Sequence, residues 1–169
     1  MAEYTDLLKG AYRAVKAADP DATVLGGVIV FNDLKFLRGM YDNGAKGHFD
    51  GLALHPYSPL RGPDDDTDPS ARFGAVEDMK RVMTARGDPD VAIWITEMGW
   101  GTDLVRDEDR ARYLRRAVEL VRTWPYVRAF CVYTLTSDVG PDSAAYGLIA
   151  ADGRPTPSWA AYVAAIGGR

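Results

Sequence analysis

An apolar stretch ends in a carboxylate within the segment IWITEMGW, residues 93–100. The residues before Glu97 are β-branched and aromatic types that favour buried strands, so its charge stands where a strand leaves the protein interior. A carboxylate in such a place is either solvated or held for chemistry, as a nucleophile or in proton transfer. We therefore consider Glu97 the leading candidate for a catalytic residue.

Three other apolar segments carry polar or aromatic groups at corresponding points. Asn32 follows TVLGGVIV, His55 and Tyr57 end FDGLALHPY, and Tyr133 lies in AFCVYTL. In barrels of alternating strands and helices, chemistry takes place at the carboxyl ends of the strands. These four residues are accordingly predicted to lie around Glu97, with Asn32 and Tyr133 as substrate-binding groups.

Helical and strand patterns alternate along the whole chain. Apolar residues recur at helical spacing in five segments, at residues 3–20, 34–44, 75–87, 107–124 and 157–167. The short apolar runs between them are predicted strands, at residues 23–30, 49–57, 91–100 and 129–135. The Pro- and Asp-rich stretch 58–74 is a predicted loop. Strands separated by helices of this length form parallel βα units, so residues 1–169 are predicted to fold as one α/β domain.

Two α/β architectures fit this order: an open doubly wound sheet and part of a (βα)8 barrel. A nucleotide-binding open sheet has a glycine-rich turn after its first strand, whereas the glycines of LGGVIVFND lie inside the strand. The polar groups at the strand ends favour the barrel. Strict alternation backwards from Glu97 places Ile95 and Ile93 inside the barrel and Trp94 beneath the helices.

Composition argues against several classes of function. The net charge of −4 and the pI of about 5.1 are unfavourable for nucleic acid as the main partner. No apolar run approaches the roughly 18 residues of a membrane span, and the start of the chain lacks a signal-peptide pattern. We therefore predict a soluble chain with no membrane partner, whose compartment the sequence does not indicate.

No metal and no cofactor are predicted. His48 and His55 lie outside any metal-binding motif, and the segment PDDDTDP lacks the glycine and terminal glutamate of a calcium-binding loop. Cys131 is the only cysteine, which leaves no internal disulfide, and its apolar surroundings suit a small core side chain.

Several motifs resemble the C-terminal half of clan A glycoside hydrolases, which are retaining (βα)8-barrel enzymes of β-xylosidase-like and cellulase-like families. The motifs are HPYS, WITEMGW and YGLIAADGRPTPSWAAY. The opening YTDLLKGAYRAVKAADPDATVLGG is similar to helix four of such barrels leading into strand five. The resemblance covers nearly the whole chain and implies a half (βα)8 TIM barrel, with strands five to eight and their helices.

The resemblance also implies roles for individual residues. Glu97 matches the nucleophile, Tyr57 the tyrosine that hydrogen-bonds to it, and His55 a residue that shapes the sugar subsite. Trp100 falls where family members often have an aromatic residue after the nucleophile, and Tyr133 replaces the tryptophan expected on strand eight. Retention requires a second carboxyl group about 5–5.5 Å from the nucleophile.

The acid/base residue of these enzymes is the glutamate of an Asn-Glu pair at the end of strand four. This chain contains no Asn-Glu dipeptide. A general acid contributes about 10²–10⁴ in rate, so the resemblance implies weak or no activity on carbohydrate substrates for the chain alone.

Four parallel strands leave two apolar edges, in TVLGGVIV and AFCVYTL. We expect them to be covered in a homodimer through the strand edges, or by a complementary N-terminal half. In a twofold dimer the two Glu97 side chains would lie on opposite sides of the barrel, without forming a close carboxyl pair. Two alternatives stay open: a non-catalytic dimeric barrel scaffold with at most sugar binding, and a complete flavodoxin-like domain that binds a phosphate ligand.

Overall fold

The secondary structure follows the predicted alternation of helices and strands. The computed structural model describes residues 1–137, 140 and 144–167. The elements in chain order are α1 Ala2–Ala18, β1 Leu25–Val30, α2 Leu34–Asp42, β2 Gly51–His55, α3 Val76–Ala85, β3 Ala92–Met98, α4 Asp107–Thr123, β4 Val127–Val132 and α5 Pro157–Gly167. One 3-10 turn, Phe73–Ala75, leads into α3 and ends the long loop after β2.

The four strands form one parallel sheet in the order β1-β2-β3-β4. The spatial order equals the chain order, without the reversal that defines a doubly wound or flavodoxin-like sheet. The sheet is therefore a fragment of a (βα)8 barrel, as predicted, and the flavodoxin-like alternative is wrong. Within the described residues, β1 and β4 each pair with only one neighbouring strand.

The hydrophobic core lies between one face of the sheet and the helices. Leu52 stands opposite Ile93, and Leu54 stands opposite Ile95. Further buried members of this core come from the helices, including Leu37, Met40, Met79, Met83 and Leu114. Helices thus cover this face of the sheet, and the other face carries the residues between the core positions.

An irregularity in β3 decides which face carries Glu97. Ile93, Ile95 and Met98 are all fully buried, although three residue steps separate the last two. The pairing of β3 with β4 shifts register between Ile95 and Met98, which is the mark of a β-bulge. Thr96 and Glu97 both lie in the bulge, and neither side chain belongs to the core face of the sheet.

The bulge corrects two predictions. Ile93 and Ile95 pack against the helices and do not share a face with Glu97. Trp94 pairs with Ala53 on the face away from the core, and its indole covers Gly51, where an added Cβ would lie 2.7 Å from the indole nitrogen. Strict alternation was counted across the bulge, and the extra residue inverted every assignment on its N-terminal side.

A buried arginine anchors the segment that follows β4. Arg110 on α4 is 2% exposed, and its guanidinium donates to Asp107 Oδ1 at 2.9 Å and Ser158 Oγ at 2.8 Å. It also donates to the carbonyl oxygens of Ala145 at 3.1 Å and Gly147 at 3.2 Å. Burial lowers the pKa of Arg110, and the charge of Asp107 opposes that change. The side chain therefore fixes residues 145–147 against α4.

Replacing Arg110 by methionine should lower the free energy of unfolding by about 3 kcal/mol. The carbonyls of Ala145 and Gly147 and the carboxylate of Asp107 would lose their shared donor. Urea denaturation followed by circular dichroism measures the change.

Arg112→Met is the matched control for this measurement. Arg112 pairs with Asp109 on the same helix, but its side chain is 68% exposed. Its loss should change the free energy of unfolding by less than about 0.5 kcal/mol. Equal losses in the two variants would contradict the anchoring role of Arg110.

Candidate active site

The carboxyl ends of β2 and β3 bring Glu97, Tyr57 and His55 together. The hydroxyl of Tyr57 donates a hydrogen bond to Glu97 Oε1. His55 Nδ1 lies 3.6 Å from Glu97 Oε2, and His55 Nε2 lies 3.1 Å from the hydroxyl of Thr96. The side chain of Glu97 is 33% exposed. Both carboxylate oxygens therefore have a neighbour on β2 or its following loop, while the group stays accessible from solvent.

His55 is held as a neutral imidazole. Burial lowers its pKa below the usual 6.5, and the neighbouring charge of Glu97 opposes that change. In the neutral ring one nitrogen donates and the other accepts. The Nε2–Thr96 contact fits either tautomer, and the Nδ1 proton faces Glu97 in the one where the Thr96 hydroxyl donates to Nε2.

Tyr57 is held as a protonated phenol. Burial raises its pKa, and the hydrogen bond to Glu97 raises it further. The phenol is consequently a permanent donor to one oxygen of the carboxylate. This contact orients Glu97.

An aromatic cavity opens in front of Glu97. Its volume is about 430 Å³, and it is lined by Val30, Phe31, Tyr57, Pro59, Glu97, Tyr133 and Tyr146. The ring of Tyr146 lies 5.6 Å from that of Tyr133 and 6.3 Å from that of Tyr57, centre to centre, and both pairs meet edge to face. The cavity combines a carboxylate with aromatic walls, which is a combination that suits sugar rings.

Tyr146 is a cavity residue that the sequence patterns did not single out. It lies in the YGLIAADG segment, outside every strand, and reaches the cavity because Arg110 fixes its two neighbours. The signal available was its place in a motif that resembles the glycosidases, but periodicity could not point to it. Burial raises the pKa of Tyr146, so its phenol is also protonated at neutral pH.

The glycine of the TEMGW motif permits the close approach of β3 and β4 at this site. A Cβ added at Gly99 would collide with the carbonyl oxygen of Tyr133 and would lie 3.1 Å from the Tyr146 ring. Any larger residue would therefore displace the two tyrosines that line the cavity opposite Tyr57.

The structure places Tyr133 in the cavity, as predicted, but it does not bring Asn32 there. Asn32 is 5% exposed, and its amide nitrogen donates to the carbonyl oxygen of Arg72 at 3.2 Å. Asn32 does not line the cavity in front of Glu97, and its role in substrate binding stays a prediction. The side chain instead links the end of β1 to the end of the long loop after β2.

Trp100 also lies apart from the cavity. Its side chain is 1% exposed, and the indole N–H donates to the carbonyl oxygens of Ser58 at 2.9 Å and Arg61 at 2.8 Å. The ring packs 5.5 Å from Tyr113, in the core rather than against solvent. The prediction of a substrate contact is wrong, because the chain turns Trp100 beneath the loop that follows β2.

The described residues contain neither a metal-binding cluster nor a membrane-spanning helix. Among residues 1–137, 140 and 144–167, no group of three or more His, Cys, Asp or Glu side chains is arranged to hold a metal ion. In the same ranges, no helix has both the length and the apolar character needed to cross a membrane.

Solved structures similar to this chain are glycoside hydrolases. A family 39 glycoside hydrolase from Bacteroides cellulosilyticus is 28% identical, with a TM-score of 0.81, over 96% of this chain and 37% of its own. A monomeric β-xylosidase from Caulobacter crescentus is 26% identical, with a TM-score of 0.68, over 96% and 36%. Xylanase 10B from Thermotoga maritima shares the fold at 17% identity, with a TM-score of 0.63, over 95% and 51%.

The chain thus spans about a third to a half of the length of these structures. The partial coverage agrees with the half barrel seen in the sheet and confirms the resemblance to clan A glycoside hydrolases. No curated protein sequence matches the chain. The family model of the glycosyl hydrolase catalytic core matches residues 8–162. This match extends from α1 to α5, and the chain therefore belongs to the glycosyl hydrolase catalytic core family.

Proposed function

We propose that this chain supplies the nucleophile side of a retaining glycosidase site, with Glu97 as the nucleophile. The observation that carries the proposal is the hydrogen bond from Tyr57 to Glu97 at the floor of the aromatic cavity. Carbohydrates are the substrate class, and the similarity to a β-xylosidase makes β-xylosides the first substrates to test.

The first chemical step follows from this geometry. Tyr57 holds Oε1 of Glu97, so Oε2 is the oxygen that attacks the anomeric carbon of the sugar. A bond forms between Oε2 and that carbon while the bond to the leaving oxygen breaks, and the leaving oxygen takes the electron pair. His55 Nδ1 lies 3.6 Å from Oε2 and therefore faces the attacking oxygen.

Protonation of the leaving group requires a second carboxyl group. The chain has no Asn-Glu dipeptide to match the acid/base residue of clan A enzymes. Ordinary glycosides should therefore react slowly or not at all with this chain alone. The missing acid favours the second candidate function, a non-catalytic, self-assembling barrel scaffold or sugar-binding fragment.

The sheet face that no helix covers exposes apolar side chains, which supports a binding partner on that face. Val28 and Val30 on β1 are 50% and 42% exposed, and Leu135 after β4 is 57% exposed. Among the described residues, β1 and β4 each pair with one strand only, and a strand at the edge of a sheet can pair with a further strand. We propose that four further strands complete the barrel, supplied by a second copy of the isolated chain or by a complementary N-terminal half.

The isolated chain should sediment at micromolar concentration as a dimer, with about twice its mass of 18.5 kDa. Val28→Glu should shift it towards monomer, because a charge on the open face would be buried in the interface. Leu7→Glu is the control, since Leu7 on α1 is 70% exposed and lies on the helical layer. A compact monomer of the unchanged chain would contradict self-association.

Covalent trapping tests the nucleophile without needing the acid. Dinitrophenol departs without protonation, so a dinitrophenyl 2-fluoroxyloside should slowly form a covalent sugar adduct on Glu97. Mass spectrometry of the intact chain measures the adduct, and Glu97→Gln should form none. An adduct that persists in Glu97→Gln would contradict the assignment. Absence of an adduct with xylosyl and glucosyl reagents alike would favour the scaffold.

Tyr57→Phe should slow this labelling by roughly 10–100-fold. The substitution keeps the ring and removes one hydrogen bond to a charged group, worth about 1.5–3 kcal/mol. Tyr41→Phe is a matched control, since the buried hydroxyl of Tyr41 donates to Asp88 at 2.9 Å away from the cavity. Equal labelling rates in Tyr57→Phe and the unchanged chain would show that this contact does not orient Glu97.

A further inference from the structure

We propose that the groove between α2 and α3 binds an acidic polysaccharide, a polymer whose sugar units carry carboxylate groups. Arg38, Arg81 and Arg86 hold the carboxylates, on the helical layer and apart from the Glu97 cavity. The choice of a polysaccharide rests on the proposed function, because a chain that acts on carbohydrates meets such polymers. The groove would anchor a polymer to the outside of the barrel.

The groove contains a cavity that is separate from the site already described. Its volume is about 280 Å³, and it is lined by three arginines, Arg38, Arg81 and Arg86, by Asp78, and by the apolar side chains of Leu34, Val82 and Ala85. None of these residues lines the cavity in front of Glu97. The volume is just below the roughly 300–1,000 Å³ of most ligand pockets, which suits one part of a long ligand better than a whole small molecule.

The ion pairs around this cavity do not neutralise its arginines. The carboxylate of Asp78 is shared by Arg72 and Arg81, so one carboxylate stands against two guanidinium groups. Arg86 pairs with Asp42 at 2.6 Å, and the two side chains are 37% and 59% exposed. An exposed ion pair contributes at most about 1 kcal/mol, so a carboxylate ligand can compete with Asp42 for Arg86.

Arg38 adds a guanidinium group that has no partner of its own. Its side chain is exposed, and within the described part of the chain it makes no hydrogen bond or ion pair. The four arginines and two aspartates of this region therefore leave an excess of two positive charges. The whole chain, by contrast, has a net charge of −4. An anion is consequently the class of ligand that this groove attracts.

The residue types in the groove favour a carboxylate attached to a sugar ring. Arginine presents its N–H donors as a planar fork, which matches the two oxygens of a carboxylate. Leu34, Val82 and Ala85 form an apolar lining that can contact the C–H groups of a sugar ring. An inorganic anion would gain nothing from that lining. A uronic acid unit uses both features, because it joins a carboxylate to a sugar ring.

NMR titrations of the chain with a charged and a neutral oligosaccharide test this site. The probes are tetragalacturonate and xylotetraose, which have equal numbers of sugar units and differ in charge. Tetragalacturonate should shift the amide signals of α2 and α3, and its affinity should fall when salt is raised to about 0.15 M. Xylotetraose should leave these signals unchanged.

Substitution of Arg38 tests the role of the unpaired guanidinium. Arg38→Glu should weaken the binding of tetragalacturonate at least about tenfold, because a repulsive charge replaces an attractive one. Arg38→Gln should weaken it about threefold to fivefold, which corresponds to the loss of one exposed ion pair. Arg112→Glu is the control matched for net charge, since Arg112 is a 68% exposed arginine on α4 that does not line the groove. It should leave the affinity unchanged.

Equal affinities for tetragalacturonate and xylotetraose, or an affinity that survives Arg38→Glu, would overturn the proposal. Tetraglutamate and inorganic phosphate are the competing anions, and binding of either as tightly as tetragalacturonate would overturn a polysaccharide as the ligand. Covalent labelling of Glu97 tests the proposed function separately. A labelled chain that does not bind tetragalacturonate refutes only the anchoring groove, whereas binding without labelling refutes only the nucleophile.

Discussion

The bulge in β3 is the constraint on which the rest of the molecule depends. Met98 must fill the core beneath the sheet, and Glu97 must stay out of it, because an unpaired carboxylate among buried apolar side chains is costly. One extra residue satisfies both demands and carries Thr96 to the same face as Glu97. His55 and Tyr57 then meet the carboxylate from the neighbouring strand end. Within β3, Met98 therefore packs in the core while the adjacent Glu97 faces the cavity.

The surrounding structure holds the cavity through contacts that do not touch it. Arg110 fixes the neighbours of Tyr146, and Trp100 fixes the loop that begins at Ser58. Both are almost fully buried, so their hydrogen bonds act in a dry environment where losing a partner is costly. These two buried residues therefore fix the positions of the aromatic residues that line the cavity. Stability and the shape of the site are coupled at Arg110 and Trp100 for that reason.

The sequence was sufficient for the order of helices and strands, the parallel sheet and the meeting of His55, Tyr57 and Glu97. These follow from periodicity, from short connections and from the shared geometry of parallel strand ends. The faces of Ile95 and Trp94 were predicted wrongly, since a bulge is a feature of strand pairing that alternation cannot reveal. Trp100 was misjudged because burial beneath a loop depends on distant contacts.

The most direct measurement of the central claim is a crystal structure of the chain after reaction with the 2-fluoro sugar reagent. We expect a bond between the anomeric carbon and Glu97 Oε2, with the Tyr57 hydroxyl still donating to Oε1 and Phe31 beside the sugar. We also expect Ile95 and Met98 to lie in the core on either side of the bulge. A sugar bonded to another residue, or a Glu97 side chain that points into the helical layer, would contradict it.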